Sequence, residues 1–148
     1  MGKYGEKAKE LFVDGYNCAQ AVFGAFSEVT GIDFETSVKL SSGFGGGMGR
    51  MREVCGAVSG MFMVLDAIEG YTSPTDNTAK MELYAKVQKL ADEFRKENGS
   101  IICRDLLGGA PSSTPEPTER TAEFYKKRPC GELVEIAADI VAEHFGVS

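Results

Sequence analysis

Helical spacing of the apolar residues is the feature that most restricts the fold of this 148-residue chain. Apolar side chains recur every three to four residues along most of the sequence, whereas the alternation typical of half-buried strands is nearly absent. The clearest stripes lie within residues 18–31, 52–70 and 77–99, and each of them ends at a glycine. Glycine is common at helix C-termini, so this pattern predicts an all-α fold.

Three further segments also have a helical pattern. The first contains Ala8, Leu11 and Phe12, a short one runs from Phe34 to about Ser42, and the last begins at Cys130. A proline-rich stretch after residue 110 predicts an extended surface loop that is too short to separate two domains. We therefore expect a single domain over residues 1–148, built as a bundle of five or six helices with a glycine-rich loop before the Cys55 helix.

The run Gly43-Phe44-Gly45-Gly46-Gly47-Met48-Gly49 is the part of the chain least compatible with a helix. A phosphate-binding loop is a poor interpretation, because the run lacks a Gly-Lys-Ser/Thr ending and a G-x-G-x-x-G register, and no strand precedes it. We expect a mobile or tightly turned segment that delivers Cys55 to its site.

Composition and charge exclude several classes of protein. Hydrophobic residues make up 43% and charged residues 26%, which is ordinary for a globular protein, and the net charge of -6 disfavours a general nucleic-acid binder. No apolar run approaches the roughly 18 residues of a membrane span, and the first ten residues lack the features of a secretory signal. We expect a cytoplasmic protein. Its apolar content exceeds what short helices can hide, which favours a helix-mediated homo-oligomer, specifically a homodimer.

Four cysteines, Cys18, Cys55, Cys103 and Cys130, each fall at or near a predicted helix start. A helix N-terminus offers unpaired N–H groups and the positive end of the backbone dipole, which lower the pKa of a thiol there. In a cytoplasmic protein, a set of cysteines is more often metal-binding or redox-active than a disulfide framework. For any one of the four, the alternative is a small apolar core residue. The four placements together favour a thiolate site.

Neighbouring residues support this interpretation. Arg104 follows Cys103 directly, and we predict that it contacts a cofactor. Gly56 and Gly60 would let a cofactor or a neighbouring backbone approach Cys55, with simple helix–helix packing as the alternative for Gly60. The other basic residues close to a cysteine in sequence, which would also favour thiolate, are Arg50, Arg52, Lys126, Lys127 and Arg128.

The cysteine spacing limits the chemistry. The gaps are 37, 48 and 27 residues, so the chain has no C-x-x-C or C-x-x-C-H motif. Thioredoxin-like, zinc-finger, ferredoxin-type and covalent haem motifs are therefore excluded. His144 is the only histidine, which disfavours hydrolytic zinc and cysteine–histidine catalysis. Any joint cysteine site must be assembled by the fold.

The element Cys55-Gly56-Ala57-Val58-Ser59-Gly60, together with the preceding glycine run and the three other cysteines, resembles the C-GCAxxG-C-C family of redox-active proteins over essentially the whole chain. One departure is Val54, which precedes Cys55 where the family name has a glycine. The family is also similar to the cysteine-bearing part of split-Soret cytochromes. This resemblance implies a [2Fe–2S] cluster held by Cys18, Cys55, Cys103 and Cys130, without haem.

Three functional hypotheses follow. The first is an electron-transfer or redox-active protein whose four cysteines form one site that ligates a [2Fe–2S] cluster. The second is a thiol–disulfide oxidoreductase or redox sensor that uses two cysteine pairs. The third is a structural zinc domain or interaction module without turnover. An oxidoreductase is compatible with the first two, and neither the electron donor and acceptor nor a substrate is indicated.

Overall fold

Helices account for nearly all the regular structure of the chain. The computed structural model describes residues 2–108, 111–127 and 129–147. Within these ranges it contains no β-strand, one isolated β-bridge and a 3-10 turn at Ser42–Phe44. The all-α prediction is confirmed. The helices are α1 Lys3–Val13, α2 Cys18–Ala25, α3 Ser27–Thr30, α4 Phe34–Ser41, α5 Gly56–Glu69, α6 Asn77–Asn98, α7 Cys103–Leu106, α8 Ala122–Lys127 and α9 Cys130–Phe145.

The predicted count of five or six helices matches only the longer ones. Helices α3, α7 and α8 have four to six residues, too few for a periodic pattern to develop. The stripe over residues 18–31 is divided at Phe26, next to Ser27, whose Oγ donates a hydrogen bond to the Gly24 carbonyl at 2.8 Å. Such a side-chain bond competes with helix propagation. Gly31 then ends α3 with a φ of 78°.

Four helices form the centre of the molecule. Helix α1 packs against α2 and α9, and α5 packs against the same two helices. The largest fully buried side chains include Phe23, Phe26 and Met61. Helix α6 lies against α5 and α9 and contributes Leu90 and Phe94. This packing fixes the directions of α2, α5 and α9, and three of the cysteines lie at the N-terminal ends of these helices.

At 22 residues, α6 is the longest helix, and its outer side is exposed and rich in charged residues. Across the described ranges, no helix combines the length and the apolarity that a bilayer crossing requires.

Candidate functional site

The four cysteines lie together at one end of the bundle. Cys18, Cys103 and Cys130 are the first residues of α2, α7 and α9, and Cys55 directly precedes α5. Their predicted placement at helix starts is confirmed. All four line one cavity of about 30 Å³. The remaining lining residues are Gly46, Gly47, Arg52, Gly56, Leu106, Leu107 and Leu133.

The start of α2 shows how the sequence builds one of these positions. The Asn17 side chain accepts a hydrogen bond from the Gln20 N–H at 3.0 Å, and the Gln20 side chain accepts one from the Asn17 N–H at 3.1 Å. This reciprocal cap begins the helix at Cys18, as the sequence predicts.

Cys55 and Cys103 are positioned by a short backbone pairing that the sequence pattern did not predict. Val54 and Ile102 form an isolated antiparallel bridge. On either side of it, the Cys55 N–H donates to the Ile101 carbonyl at 2.8 Å and the Cys103 N–H donates to the Glu53 carbonyl at 2.7 Å. A pairing of this length leaves no alternating pattern in the sequence, so periodicity could not reveal it.

The glycine-rich loop is tightly turned. Residues 46–50 all have positive φ, between 57° and 73°, and so does Arg52 at 63°. Met48 and Arg50 are among them, although this conformation costs a non-glycine residue about 1–2 kcal/mol. At Gly47, an added Cβ would lie 2.6 Å from Cys103 Cβ and 2.8 Å from the Glu53 nitrogen. The loop therefore packs directly against the segment that carries Cys103.

Arg52 brings a buried positive charge to the cysteines. Only 3% of the residue is exposed. Its Nε donates to the Ser112 carbonyl at 2.9 Å and its Nη1 lies 3.7 Å from Cys103 Sγ. Its buried Nη2 has no hydrogen-bond partner in the part of the chain that the structure describes. Among the described residues, no carboxylate forms an ion pair with it. An uncompensated buried charge is costly, so this arrangement favours an anion at the site.

The other residues predicted to surround a cofactor lie in different places. Gly56 lines the cysteine cavity, and a Cβ there would lie 3.1 Å from Cys18 Cβ. Gly60 is one turn further along α5, where a Cβ would lie 2.8 Å from the Ala19 carbonyl oxygen, which fits the helix–helix packing alternative. Arg104 is exposed, and Arg52 is the arginine that contacts Cys103. Arg128 and the side chains of Lys126 and Lys127 lie outside the described part of the chain.

Protonation of the thiols differs from the sequence-based expectation. A hydrogen bond with Cys130, then burial and the neighbouring cysteines, raise the pKa of Cys18 well above its ordinary value. Burial raises the pKa of Cys55 to about 12, although the N–H groups of Val58 and Ala57 oppose this shift without forming a full helix cap. The predicted lowering of the pKa is wrong for these two cysteines, because desolvation outweighs the helix N-terminus. Both are neutral thiols at pH 7.

Cys18 and Cys130 also line a larger cleft of about 550 Å³. Part of its wall comes from the proline-rich segment 111–120, here called the strap. Three arginines hold the strap against the cysteine end of the bundle through hydrogen bonds. Arg50 Nε donates to the Thr114 carbonyl at 2.7 Å, Arg52 Nε donates to Ser112, and Arg120 donates to the carbonyls of Phe12 and Tyr16.

The thiols are not arranged as a ready metal site. In their present positions, no three His, Cys, Asp or Glu side chains of the described ranges are close enough together to hold a metal ion. The four cysteines are free thiols. The site as it stands can donate protons and hydrogen bonds, and Cys18 and Cys130 are hydrogen-bonded to each other.

Comparison with known families gives one match. The model of the family described as "Putative redox-active protein (C_GCAxxG_C_C)" matches residues 16–144, which include all four cysteines of the site. No curated protein and no solved structure matches the chain significantly. Because the family match covers most of the chain, and because the cysteines that give the family its name line one cavity, this protein belongs to the C_GCAxxG_C_C redox-active family.

Proposed function

We propose that the protein is an electron-transfer protein in which Cys18, Cys55, Cys103 and Cys130 ligate a [2Fe–2S] cluster. One observation carries the proposal: four cysteines from four separate segments converge on one cavity beside the buried Arg52. A buried cation and four helix N-termini all favour an anionic, thiolate-ligated group.

The residues fit such a cluster in the kind and number of their donors. Four thiolates are the usual ligand set of a [2Fe–2S] centre. The Arg52 Nη2 group, which has no partner among the described residues, could donate a hydrogen bond to a sulfur atom of the cluster. When bound, the cluster would accept and release single electrons. The cavity of about 30 Å³ offers the volume of roughly one water molecule, so loading requires the surrounding side chains to move apart.

Two properties of the chain would control loading. Because Cys18 and Cys55 are neutral thiols, they must release protons to become ligands, so loading weakens as the pH falls. Leu106, Leu107 and Leu133 line the cavity and would limit the access of water to the bound sulfur atoms.

The test is metal and sulfide analysis of protein purified and reconstituted without oxygen. We expect about two iron and two sulfide per chain, with visible absorption from thiolate-to-iron charge transfer. The variant Cys103→Ser should lose iron. Ala142→Ser, which places a hydroxyl among buried α9 side chains without removing a ligand, should keep it. Colourless protein without bound iron and sulfide would contradict the proposal. Stoichiometric zinc in place of iron would favour the structural zinc hypothesis.

A second candidate function is thiol–disulfide exchange, because the Cys18 and Cys130 thiols are hydrogen-bonded to each other and line the larger cleft. Oxidation would join the two sulfur atoms and pass two electrons and two protons to a disulfide or quinone oxidant. Alkylation after mild oxidation with diamide, followed by mass spectrometry, should then give a Cys18–Cys130 disulfide in the wild type and in Cys55→Ser. Random pairing among the four cysteines would count against this candidate.

A further inference from the structure

The larger cleft has a charge opposite to that of the chain. The sequence has 22 acidic and 16 basic residues. The residues that line the cleft nevertheless include Arg50, Arg52 and Arg120, and no aspartate or glutamate is among the described residues of the lining. Its volume of about 550 Å³ falls within the range of small-molecule sites in proteins. The cleft is therefore a cationic pocket in an acidic protein.

Two of the three arginines, Arg52 and Arg120, have no carboxylate partner among the described residues. Arg120 donates to two backbone carbonyls and stacks over the Phe12 ring at 4.3 Å from the ring centre. Arg52 contacts a carbonyl and a thiol. Arg50 contributes to a lowered pKa of Glu116, after hydrogen bonds at Glu116 itself and with Thr114, but Glu116 does not line the cleft.

The remaining lining suits the rest of an organic molecule. Pro115, Pro117 and Phe124 supply apolar surface that is not fully buried, while Cys18 and Cys130 bring the cysteine site to the same cleft. We propose that the cleft binds a small organic anion, with its acidic group held by the arginines and its apolar body against Pro115, Pro117 and Phe124. The inference rests on the proposed function in one respect: the cleft is lined by Cys18 and Cys130, two of the proposed cluster ligands, so a bound anion would lie beside the cysteine site.

Two probes of nearly the same shape and different charge test the proposal: the anion 2-naphthoate and its neutral analogue 2-naphthamide, whose amide group replaces the carboxylate. Isothermal titration calorimetry should show 2-naphthoate binding at least about tenfold more tightly, a difference of about 1.4 kcal/mol. Thr118 accepts a hydrogen bond from Arg50 Nη1 at 2.7 Å and is exposed. Thr118→Glu places a carboxylate against that arginine, so it should weaken 2-naphthoate binding at least about fivefold while changing 2-naphthamide binding less.

Thr75→Glu adds the same charge at an exposed position outside the cleft and should leave 2-naphthoate binding unchanged. Arg52→Met should also weaken 2-naphthoate binding. If that variant fails to fold, the comparison of Thr118→Glu with Thr75→Glu still tests whether the arginines of the cleft hold the anion. Equal affinity for the two probes, or equal loss in the two glutamate variants, would overturn the inference. Measuring the iron content of the same samples distinguishes this proposal from the cluster proposal. If 2-naphthoate binds more tightly than 2-naphthamide to protein that cannot be loaded with iron, the anion site is supported and the cluster is contradicted.

Discussion

The helical body and the cysteine end follow different physical rules. In the body, α1, α2, α5 and α9 bury apolar side chains, and the residues there are regular in their backbone geometry. At the cysteine end, a run of positive φ values, an isolated bridge and a buried arginine with an unpartnered nitrogen occur within a short distance of one another. The body has the features that stabilise a fold, and the cysteine end has the features that cost stability.

The strained part of the molecule is also the part that carries the four cysteines. Strained backbone and imperfectly paired polar groups persist only where the surrounding structure fixes them, and they cluster at functional sites. Arg52 has a positive φ and lines the cavity of the four cysteines, and Met48 and Arg50 have a positive φ in the same loop, next to the lining residue Gly47 or close to it in sequence. The comparison can be tested by making matched changes in the two regions.

The largest expected effect is from Phe26→Ala in the body. Phe26 is fully buried and stacks on Tyr4 with ring centres 4.6 Å apart, so we expect a loss of about 3–5 kcal/mol in the free energy of unfolding. Phe44→Ala removes a ring that is 36% exposed at the cysteine end and should cost less than about 1 kcal/mol. Urea denaturation measures both, and similar losses would remove the distinction between the regions.

The next effect is from Gly47→Ala. A Cβ at Gly47 would overlap Cys103 Cβ and the Glu53 nitrogen and would also have a φ of 73°, so we expect a loss of about 2–4 kcal/mol. The control is Gly31→Ala, which has a φ of 78° and open space around the added atom, and which should cost only about 1 kcal/mol. Equal losses in thermal or urea unfolding would mean that the loop does not pack tightly against Cys103.

A smaller effect is expected from high pH on the metal-free protein. The folded pKa of Cys55, about 12, is above the value of about 8.5 for an unfolded thiol. The stability gained from keeping this proton is present below about pH 8.5 and is lost as the pH rises toward 12. The free energy of unfolding should fall by at most about 1.4 kcal/mol per pH unit between pH 9 and 11. Cys55→Ser should have a shallower slope, and identical slopes would contradict the raised pKa.

The smallest effect is from Met48→Gly. Glycine relieves the positive φ of 64° but increases the entropy of the unfolded chain, so we expect a change within about 0.5 kcal/mol. Met81 lies on the exposed side of α6, where Met81→Gly should cost about 1 kcal/mol because glycine is a poor helix former. If Met48→Gly were as costly in denaturation experiments as Met81→Gly, backbone strain at the loop would be ruled out.

Sequence reasoning predicted the body better than the cysteine end for a physical reason. Helix boundaries follow local signals such as the Asn17 cap before Cys18, the Asp33 cap before Phe34 and the glycine that ends α6. These interactions join residues close in sequence, so the chain alone reveals them. The division at Phe26 was not predicted, because the four residues of α3 contain too few repeats.

At the cysteine end, the helix-start positions of the thiols could be predicted, whereas their environment could not. The neutral state of Cys55 depends on burial, and the contact of Arg52 with Cys103 joins residues 51 positions apart. Nearness in sequence pointed to both Arg52 and Arg104, and it could not indicate that Arg52 lies 3.7 Å from Cys103 Sγ while Arg104 is exposed. The positive φ values at Met48 and Arg50 gave no signal either, since neither residue type favours that conformation. The strap was recognised as a loop, but its position over the thiols depends on long-range hydrogen bonds.

The distance along the chain between Cys18 and Cys130 has a consequence for biosynthesis. The ribosome must add 112 further residues after Cys18 before its sulfur partner in α9 exists, which takes roughly 6–22 s at 5–20 residues per second. During translation, Cys18, Cys55 and Cys103 therefore exist for some time without Cys130. A nascent fragment that stops before α9 has only three of the four cysteines. Assembly of the four-cysteine site must follow synthesis of Cys130, a timing imposed by the order of the cysteines alone.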